Sequence, residues 1–450
     1  MNYEEAMKYI KDTAKFGSKL GLERTEKILE FLGNPHKKLK CIHIAGTNGK
    51  GSTTSMLAKI LQEAGYKVGM YISPYLEVFE ERIQINGTNI DKKDLSNSVS
   101  KVAEVIEKVV EEGYGNPTEF EIITCTMFLY FFNSGVDYAV IEVGLGGRLD
   151  STNVINPILS IITSISFDHM AILGDTLEKI AFEKAGIIKP GVPLVLYPQE
   201  RESFEVINKV CTERNCRLIL VDENSVNHEK SDESNKYLRF DEALTENDGV
   251  RFYQQITVAT ESETYDIDFA LLGNHQLINC AVAINAAEEL INQGIVISKE
   301  HILKGLKNVK WPGRLEILKN SPMVVIDGAH NIDGILKLTE SVNNYFTYDR
   351  LVLILGILAD KQVDAMVETI IPLANEVITV TPNSERAQLA EELEKVVKKY
   401  NGNCISVRDY KTAYFKGKEM CGPKDLLLIS GSLYMIGDMR KIIREVEEEK

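Results

Sequence analysis

The sequence predicts an α/β protein in two domains, each a mostly parallel sheet covered by helices on both faces. Three observations lead there. Short apolar runs of strand length alternate with stretches of helix length along most of the 450 residues. One such junction carries a glycine-rich turn, Ala45-Gly46-Thr47-Asn48-Gly49-Lys50-Gly51-Ser52-Thr53. The alternation pauses in a polar tract at 222–250 and begins again from Arg314, which asks for a second, smaller domain. The boundary is placed between 296 and 297, giving domains 1–296 and 297–450.

The elements follow in order. Two short amphipathic helices fit residues 2–33. An apolar strand near 40–45 leads into the glycine turn, and Ser55 to Leu61 continues as helix. A second strand fits Lys67–Tyr71, followed by a polar loop from Ser73 to Asn89 with an Asn86-Gly87 turn. Helices fit 91–112 and 119–133. Tyr138–Val143 reads as a buried strand ending in Gly144-Leu145-Gly146-Gly147, and Ile158–Thr163 as another, before a loop holding Asp168-His169. A helix starts near Thr176 and ends near Lys189-Pro190-Gly191. The tract 222–250, rich in Glu, Asp, Asn and Ser, reads as a surface excursion. A hairpin fits 251–258 and 264–271, and a helix from His275 to Gln293 closes the first domain, with Gly294 as hinge. The second domain supplies strands at Val324–Ile326, Leu351–Leu355, Glu376–Val380, Cys404–Val407 and Leu426–Ile429, with helices between them, an arrangement that looks Rossmann-like.

Composition narrows the function. A net charge of −15 argues against a nucleic-acid partner, because a phosphate backbone needs a basic surface. A small anion needs only a locally positive pocket. The seven cysteines are scattered, and only Cys211 and Cys216 lie close together, so reduced thiols in a cytoplasmic protein are expected. The acidic N-terminus has no signal-peptide layout, and the longest apolar stretch, Leu351–Ala359, is far too short for a bilayer, so no membrane partner is expected.

The glycine turn is the strongest chemical signal. Strand, glycine turn and helix together make a phosphate site, because backbone N–H groups approach an anion without an intervening Cβ and the helix N-terminus adds a partial positive charge. Lys50 would reach the β- and γ-phosphates, and the hydroxyl of Ser52 or Thr53 would face them or a metal. The usual spacing is Gly-x-x-x-x-Gly-Lys-Ser/Thr; here two residues separate Gly46 from Gly49, and Gly51 follows the lysine. A P-loop-type ATPase fold is therefore expected for the first domain. In open α/β sheets ligands lie beyond the carboxyl ends of the strands, where Ser73, Glu142 and His169 also fall and would hold a divalent metal near the phosphates. By spacing alone His169 reads as a hydrogen-bonded loop histidine, Glu142 as a carboxylate with a neighbouring cation as its alternative partner, and Arg314, Lys184 and Asp327 as an ordinary exposed arginine, helix lysine and helix cap.

Taken in order, the segments resemble the folylpolyglutamate synthase family, often bifunctional with dihydrofolate synthase, within the Mur-ligase superfamily. The markers are Ala45 to Ser52, Ser73-Pro74, Glu81-Arg82-Ile83, Thr118-Glu119-Phe120-Glu121, Glu142 to Asp150, Asp168-His169, Lys184-Ala185-Gly186, Trp311 to Glu316, Asp327-Gly328-Ala329-His330-Asn331 and Ser430-Gly431-Ser432-Leu433-Tyr434. The resemblance covers nearly the whole chain and accounts for the shortened glycine turn.

The resemblance implies an ATP-dependent ligase that adds glutamate to folates, and to dihydropteroate, through an acyl phosphate. It implies that Asn48, Gly49, Lys50, Gly51 and Ser52 hold the ATP phosphates, and that Asn279, Arg314 and Asp327 contact the nucleotide. Ser73, Glu142 and His169 become magnesium ligands, with two Mg2+ sites expected, and Lys184 a carbamylated lysine. His330 and Ser432 would bind the incoming glutamate, His330 standing with Lys50 and Lys184 as catalytic. Gly21, Leu22, Glu23, Arg24, Arg82, Thr118, Glu119, Phe120, Glu121, Leu149, Asp150 and Ser151 would form the pteroate pocket. The family further implies a monomer, and nucleotide contacts split between two domains that close before chemistry. Three other readings stand beside it. One is a Mur-type ligase for a cell-wall nucleotide precursor, for which a glycine turn at residue 46 leaves little room ahead. Another is an ATP-hydrolysing switch. The third is a dinucleotide-binding oxidoreductase, for which no Gly-x-Gly-x-x-Gly follows a strand.

Overall fold

A computed structural model of the chain describes residues 1–13, 21–231, 236–241, 251–384 and 386–448. They form two compact units. The first comprises Met1–Val226, Val258–Tyr265 and Ile278–Val309; the second comprises Asn227–Thr257, Asp266–Leu277 and the chain from Lys310 onward.

In chain order the first unit begins α1 (Tyr3–Asp12), α2 (Glu23–Phe31), β1 (Cys41–Ala45), α3 (Lys50–Glu63), β2 (Val68–Tyr71), β3 (Ile83–Ile85), β4 (Thr88–Asn89), α4 (Lys92–Glu111) and α5 (Glu119–Ser134). It continues through β5 (Tyr138–Glu142), β6 (Leu159–Ile162), α6 (Met170–Leu173), α7 (Leu177–Ala185), β7 (Leu194–Leu196), α8 (Arg201–Glu213) and β8 (Leu218–Leu220). The eight strands lie in the order β4-β3-β2-β5-β1-β6-β7-β8, parallel from β2 to β8 with an antiparallel edge at β3 and β4. All five residues of β1 and of β5 are buried, as strands with helices on both faces must be.

Strand order places the helices. From β1 the chain moves to β2 in one direction; from β2 to β5, and later from β6 through β7 to β8, it moves in the other. Right-handed crossovers therefore put α3 on one face and α4, α5, α7 and α8 on the opposite face. The end of β1 lies where the direction reverses, so the glycine turn sits at a topological switch point. The first core collects α1, α2, α4 and α5 around residues such as Ile28, Val99 and Phe128, and a second collects α7 and α8 around Ile180, Ile188 and Ile207.

Next come β9 (Val226–Glu229), β10 (Arg239–Asp241), β11 (Arg251–Ala259) and β12 (Thr264–Phe269), forming a separate small sheet with β9 and β10 both paired to β11. The expected surface excursion at 222–250 thus contains two strands; its residues 232–235 and 242–250 lie outside the described residues. Then follow α9 (His275–Asn292) and α10 (Lys299–Asn308). α10 packs on α3 in the first unit, whose last segment runs past the expected 296/297 boundary to Val309. A Cβ on Gly305 would lie 2.7 Å from the side chain of Ile60, so glycine permits the close helix contact.

The second unit adds β13 (Glu316–Asn320), β14 (Met323–Asp327), α11 (Ile332–Tyr345), β15 (Leu351–Leu355), α12 (Val363–Ile370), β16 (Glu376–Thr379), α13 (Ala390–Val397), β17 (Cys404–Ser406), α14 (Tyr410–Met420), β18 (Leu426–Ser430) and α15 (Leu433–Glu448). Its sheet order is β13-β14-β18-β15-β16-β17, with only β13 antiparallel. Strands β14, β15, β16 and β17 advance in one direction, and β17 to β18 reverses it. The same handedness rule sets α11, α12 and α13 on one face and α14 on the other, where α15 packs with it. β18, inserted between β14 and β15, makes a second switch point.

Two further elements escaped the sequence reading. The polar loop at Ser73–Asn89 folds as the β3–β4 hairpin, turned by Asn86 and Gly87 with φ of 50° and 74°. β13 precedes the first expected strand of the second unit. β3 and β4 are too short for an alternating pattern to register, and β13, half-buried with polar residues at Glu316, Lys319 and Asn320, has no apolar run.

Candidate active site

The glycine turn is closely packed and hydrogen-bonded by its surroundings. Gly49 has φ of 85°, and a Cβ there would sit 2.6 Å from Oδ1 of the buried Asn279. A Cβ on Gly46 would lie 1.8 Å from the hydroxyl of Thr163. Thr163 in turn donates to the carbonyl of Asn48 at 2.8 Å, Thr47 donates its hydroxyl to the carbonyl of Ser166 at 3.0 Å, and the amide of Thr47 donates to the carbonyl of Ser164 at 2.8 Å. The segment after β6 thus clamps the turn. α3 begins at Lys50, and the glycine at its N-cap supplies no side-chain cap.

Lys50 Nζ donates to the carbonyls of Gly46 and Thr47, both at 3.1 Å, and lies 4.0 Å from Glu142 Oε1. Lys184, 2% exposed on α7, donates from Nζ to the carbonyl of Gly46 at 2.8 Å. Burial, with the repulsion of Lys50 second, lowers its pKa to about 7, against the partial compensation of Asp168. The close approach that places it is backbone on backbone. A Cβ on Gly147 would meet the carbonyls of Glu183 and Lys184 at 2.9 and 3.0 Å, and one on Gly186 would meet Arg148 at 2.3 Å.

Ser73 and Glu142 come together beside this turn: the amide of Ser73 donates to Glu142 Oε2 at 3.4 Å, and the Ser73 hydroxyl is buried without a hydrogen-bond partner. A carboxylate and an unsatisfied hydroxyl are hard oxygen donors of the kind magnesium takes. His169 opens α6 with φ of 48°; its side chain is 39% exposed and Nε2 stands 4.0 Å from Asp168. Among the described residues no three His, Cys, Asp or Glu side chains converge on a metal position, so an oxygen set here depends on the serine.

Several residues expected in the pteroate pocket are used by the fold itself. Thr118 and Glu121 form the reciprocal cap of α5, and the buried Glu121 also receives Arg24 Nε at 3.0 Å, joining α2 to α5. Asp150 accepts from the amides of Leu145 and Thr152, each at 2.9 Å, and from the Thr152 hydroxyl at 2.5 Å. Its pKa is nonetheless raised by burial, the larger effect. Phe120 lies against the end of β5, where a Cβ on Gly144 would meet its ring at 2.4 Å. Gly21 and Leu22 are half-buried ahead of α2, and Glu23 is exposed in its first turn. Glu119 and Phe120 are half-buried and Ser151 buried; Leu149 is half-buried beside it.

Sequence reading passed over a residue behind this turn. His43, wholly buried on β1, makes a 2.8 Å hydrogen bond from Nε2 to the Thr152 hydroxyl. Because that hydroxyl gives its only proton to Asp150, Nε2 must be the protonated nitrogen, which leaves Nδ1 buried with no partner. Burial, then Lys189, lowers its pKa to about 3. A polar residue in the centre of the apolar run Cys41-Ile42-His43-Ile44 was the available signal.

In the second unit the expected residues gather at the switch point. Asp327 ends β14 opposite Ser430, which ends β18. Asp327 accepts from the amides of Leu315 and Ala329, both at 2.8 Å; burial raises its pKa against the opposing pull of Arg314. A Cβ on Gly328 would lie 2.0 Å from Arg314 Nη1, so the guanidinium rests on the glycine. His330 Nδ1 is 2.9 Å from the carbonyl of Gly328. The hydroxyls of Ser430 and Ser432 are buried without hydrogen-bond partners.

Comparison with known proteins covers both units. The Mur ligase middle domain matches residues 44–287, and the Mur ligase glutamate ligase domain matches 313–433. The chain is 38% identical to dihydrofolate synthase/folylpolyglutamate synthase of Bacillus subtilis, over 98% of this chain and 99% of that protein. It is 33% identical to folylpolyglutamate synthase of Lacticaseibacillus casei over 98% and 99% of the two chains. Among solved structures it is similar to folylpolyglutamate synthase of Thermotoga maritima, with a TM-score of 0.82 and 33% identity over 98% and 96% of the two chains. The structure of E. coli FolC in complex with DHPP and ADP matches with a TM-score of 0.85 and 26% identity over 99% of both. With both halves matched and the fold shared end to end, the chain belongs to the dihydrofolate synthase/folylpolyglutamate synthase family of Mur ligases.

Proposed function

We propose that this protein is an ATP-dependent, ADP-forming ligase that joins the α-amine of L-glutamate to the carboxylate of folates, and also of dihydropteroate. The observation that carries this reading is the buried amine of Lys184 set against the carbonyl of Gly46 in the phosphate turn. A phosphate loop alone serves many reactions; a second, desolvated lysine at the same turn fits a ligase that holds its metal through a lysine carbamate.

The chemistry follows from the residues. The substrate carboxylate attacks the γ-phosphorus of ATP, the bond to the β-phosphate bridging oxygen breaks, and ADP leaves with those electrons. The amine of glutamate then attacks the acyl carbon, gives up a proton, and expels inorganic phosphate. Lys50 and the amides of Asn48, Gly49, Gly51 and Ser52 hold the charge on the transferred group. Lys184, with its pKa near 7, has enough neutral amine to take up CO2 as a carbamate. Two magnesium ions are expected, with ligands drawn from Ser73, Glu142, His169 and that carbamate; when bound they neutralise phosphate oxygens. Asn279, Arg314 and Asp327 contact the nucleotide, and His330 and Ser432 orient the glutamate. Gly21 to Arg24, Arg82, Thr118 to Glu121 and Leu149 to Ser151 enclose the pteroyl group, with Glu121 and Asp150 acting through the loops they pin.

The protein works on small molecules as a cytoplasmic monomer, with neither nucleic acid nor membrane as partner. All seven cysteines are free, and the net charge opposes a phosphate backbone. Among the described residues no helix is long and apolar enough to cross a membrane.

The test is incorporation of labelled glutamate with ATP, run in parallel on dihydropteroate and tetrahydrofolate. Transfer to both is expected. ATP hydrolysis at the same rate with and without an acceptor, and no labelled product, overturns the ligase reading.

A further inference from the structure

The loop between β2 and β3 is closed by one of its own carboxylates. Glu81 Oε2 accepts the amide of Leu76 at 2.7 Å, and Oε1 accepts the amides of Glu77 and Val78, each at 3.0 Å. Three successive N–H groups turned to one point form an anion nest, and Glu81 fills it from within the loop. The loop ends are tied as well. The amide of Ile72 donates to the carbonyl of Arg82 at 3.1 Å, and Gln84 Nε2 donates to the carbonyl of Glu81 at 2.9 Å.

This closure presents Arg82. Its guanidinium lies over the rings of Tyr75 and Phe79, at 5.3 and 5.7 Å, and those rings meet edge to face at 5.9 Å. Its Nε is buried with no hydrogen-bond partner. A buried N–H without a partner is unfavourable, and a guanidinium held by aromatic faces is already oriented for a planar carboxylate. The nearest acid in sequence is Glu81, whose two oxygens are engaged by the nest.

We propose that Glu81 is a positioning residue for ligation: by filling the 76–78 nest it fixes the Ser73–Arg82 loop in the shape that offers Arg82 to the carboxylate-bearing pteroyl substrate. The proposal rests on the ligase reading above. It separates Glu81 from Arg82 in role. Arg82 touches substrate; Glu81 acts only through the loop that holds Arg82.

The experiment compares Glu81→Ala, Glu81→Gln, Arg82→Ala and the Glu81→Ala/Arg82→Ala double variant with the wild type, measuring KM for the pteroyl substrate, ATP and glutamate separately. Glu81→Ala is expected to raise KM for the pteroyl substrate roughly tenfold, leaving the other two within about twofold. Glu81→Gln keeps one carbonyl oxygen for the nest and recovers part of the loss. The double variant is no worse than Arg82→Ala alone, because the two act as a unit. An unchanged pteroyl KM, additive losses in the double variant, or a parallel rise of all three KM values with a lowered Tm overturns the proposal. Hydrogen exchange at the amides of Leu76, Glu77 and Val78 reads the nest without substrate. Slow exchange that is lost in Glu81→Ala supports the strut, and equal exchange in the two proteins overturns it, even if the wild type transfers no glutamate and the ligase reading itself has failed.

Discussion

The ammonium nitrogen of Lys184 donates to the carbonyl of Gly46 across 2.8 Å, joining the end of α7 to the first glycine of the glycine turn. Gly46 also receives Lys50 at 3.1 Å, so two lysines meet on one carbonyl, and the charge of Lys50 adds to the cost of protonating Lys184.

That repulsion and the burial of Lys184 set its pH behaviour. An unfolded lysine binds its proton below 10.5, whereas Lys184 in the fold does so only below about 7. The unfolded state therefore binds more protons between those values, and stability from this group rises with pH across that window. The Tm of the wild type relative to Lys184→Met should increase from pH 7 towards pH 10 when CO2 is removed. A constant difference would contradict the depressed pKa. With 13C-labelled bicarbonate, a carbamate carbon signal present in wild type and absent in Lys184→Met is expected.

Lys50→Ala removes the one cation at the start of α3 while leaving the Thr163–Asn48 and Thr47–Ser164 clamps in place. The loss in kcat is expected to be on the order of 100-fold or more with Tm nearly unchanged. Wild-type turnover in this variant would remove Lys50 from phosphoryl transfer.

Gly49→Ala meets two obstacles at once, a φ of 85° and Asn279 Oδ1 at 2.6 Å from the new Cβ. A destabilisation of about 1–3 kcal/mol is expected, together with a raised KM for ATP, because Asn279 must move away from the turn. Denaturant unfolding and nucleotide titration check both.

His43→Leu leaves the Thr152 hydroxyl without its donor and should destabilise by about 1–3 kcal/mol, while His43→Gln, which can still donate, loses less. The histidine also carries a pH signature. Unfolded histidine binds a proton near 6.5 and His43 near 3, so this part of the stability is complete above 6.5 and declines as pH falls towards 3. In His43→Gln that component of acid sensitivity disappears, which urea unfolding at a series of pH values will show.

Ser432→Ala separates fold from ligand. The hydroxyl is buried and makes no hydrogen bond in the protein, so its removal should leave Tm unchanged or slightly raised. KM for glutamate should rise by roughly tenfold while KM for ATP holds. A drop in Tm with no change in either KM would make the serine structural.

The sequence by itself determined the fold class, the parallel strands and the glycine turn. The reason is local. Five-residue apolar runs such as Cys41–Ala45 and Leu351–Leu355 can be satisfied only in a sheet covered on both faces, and glycine at 46 and 49 is required by the backbone path itself. What required tertiary structure were the contacts between distant segments. The pairing of His43 with Thr152 spans 109 residues, and that of Lys184 with Gly46 spans 138. No periodicity in either segment encodes such a pair. Glu121, Asp150 and Glu81 read as three surface or site carboxylates; only the folded chain shows that each is occupied by backbone amides. α10 likewise has its place on α3 through Gly305, a close approach that depends on Ile60 lying opposite. Burial decides ionisation and partnership, and burial is a property of what the rest of the chain brings near.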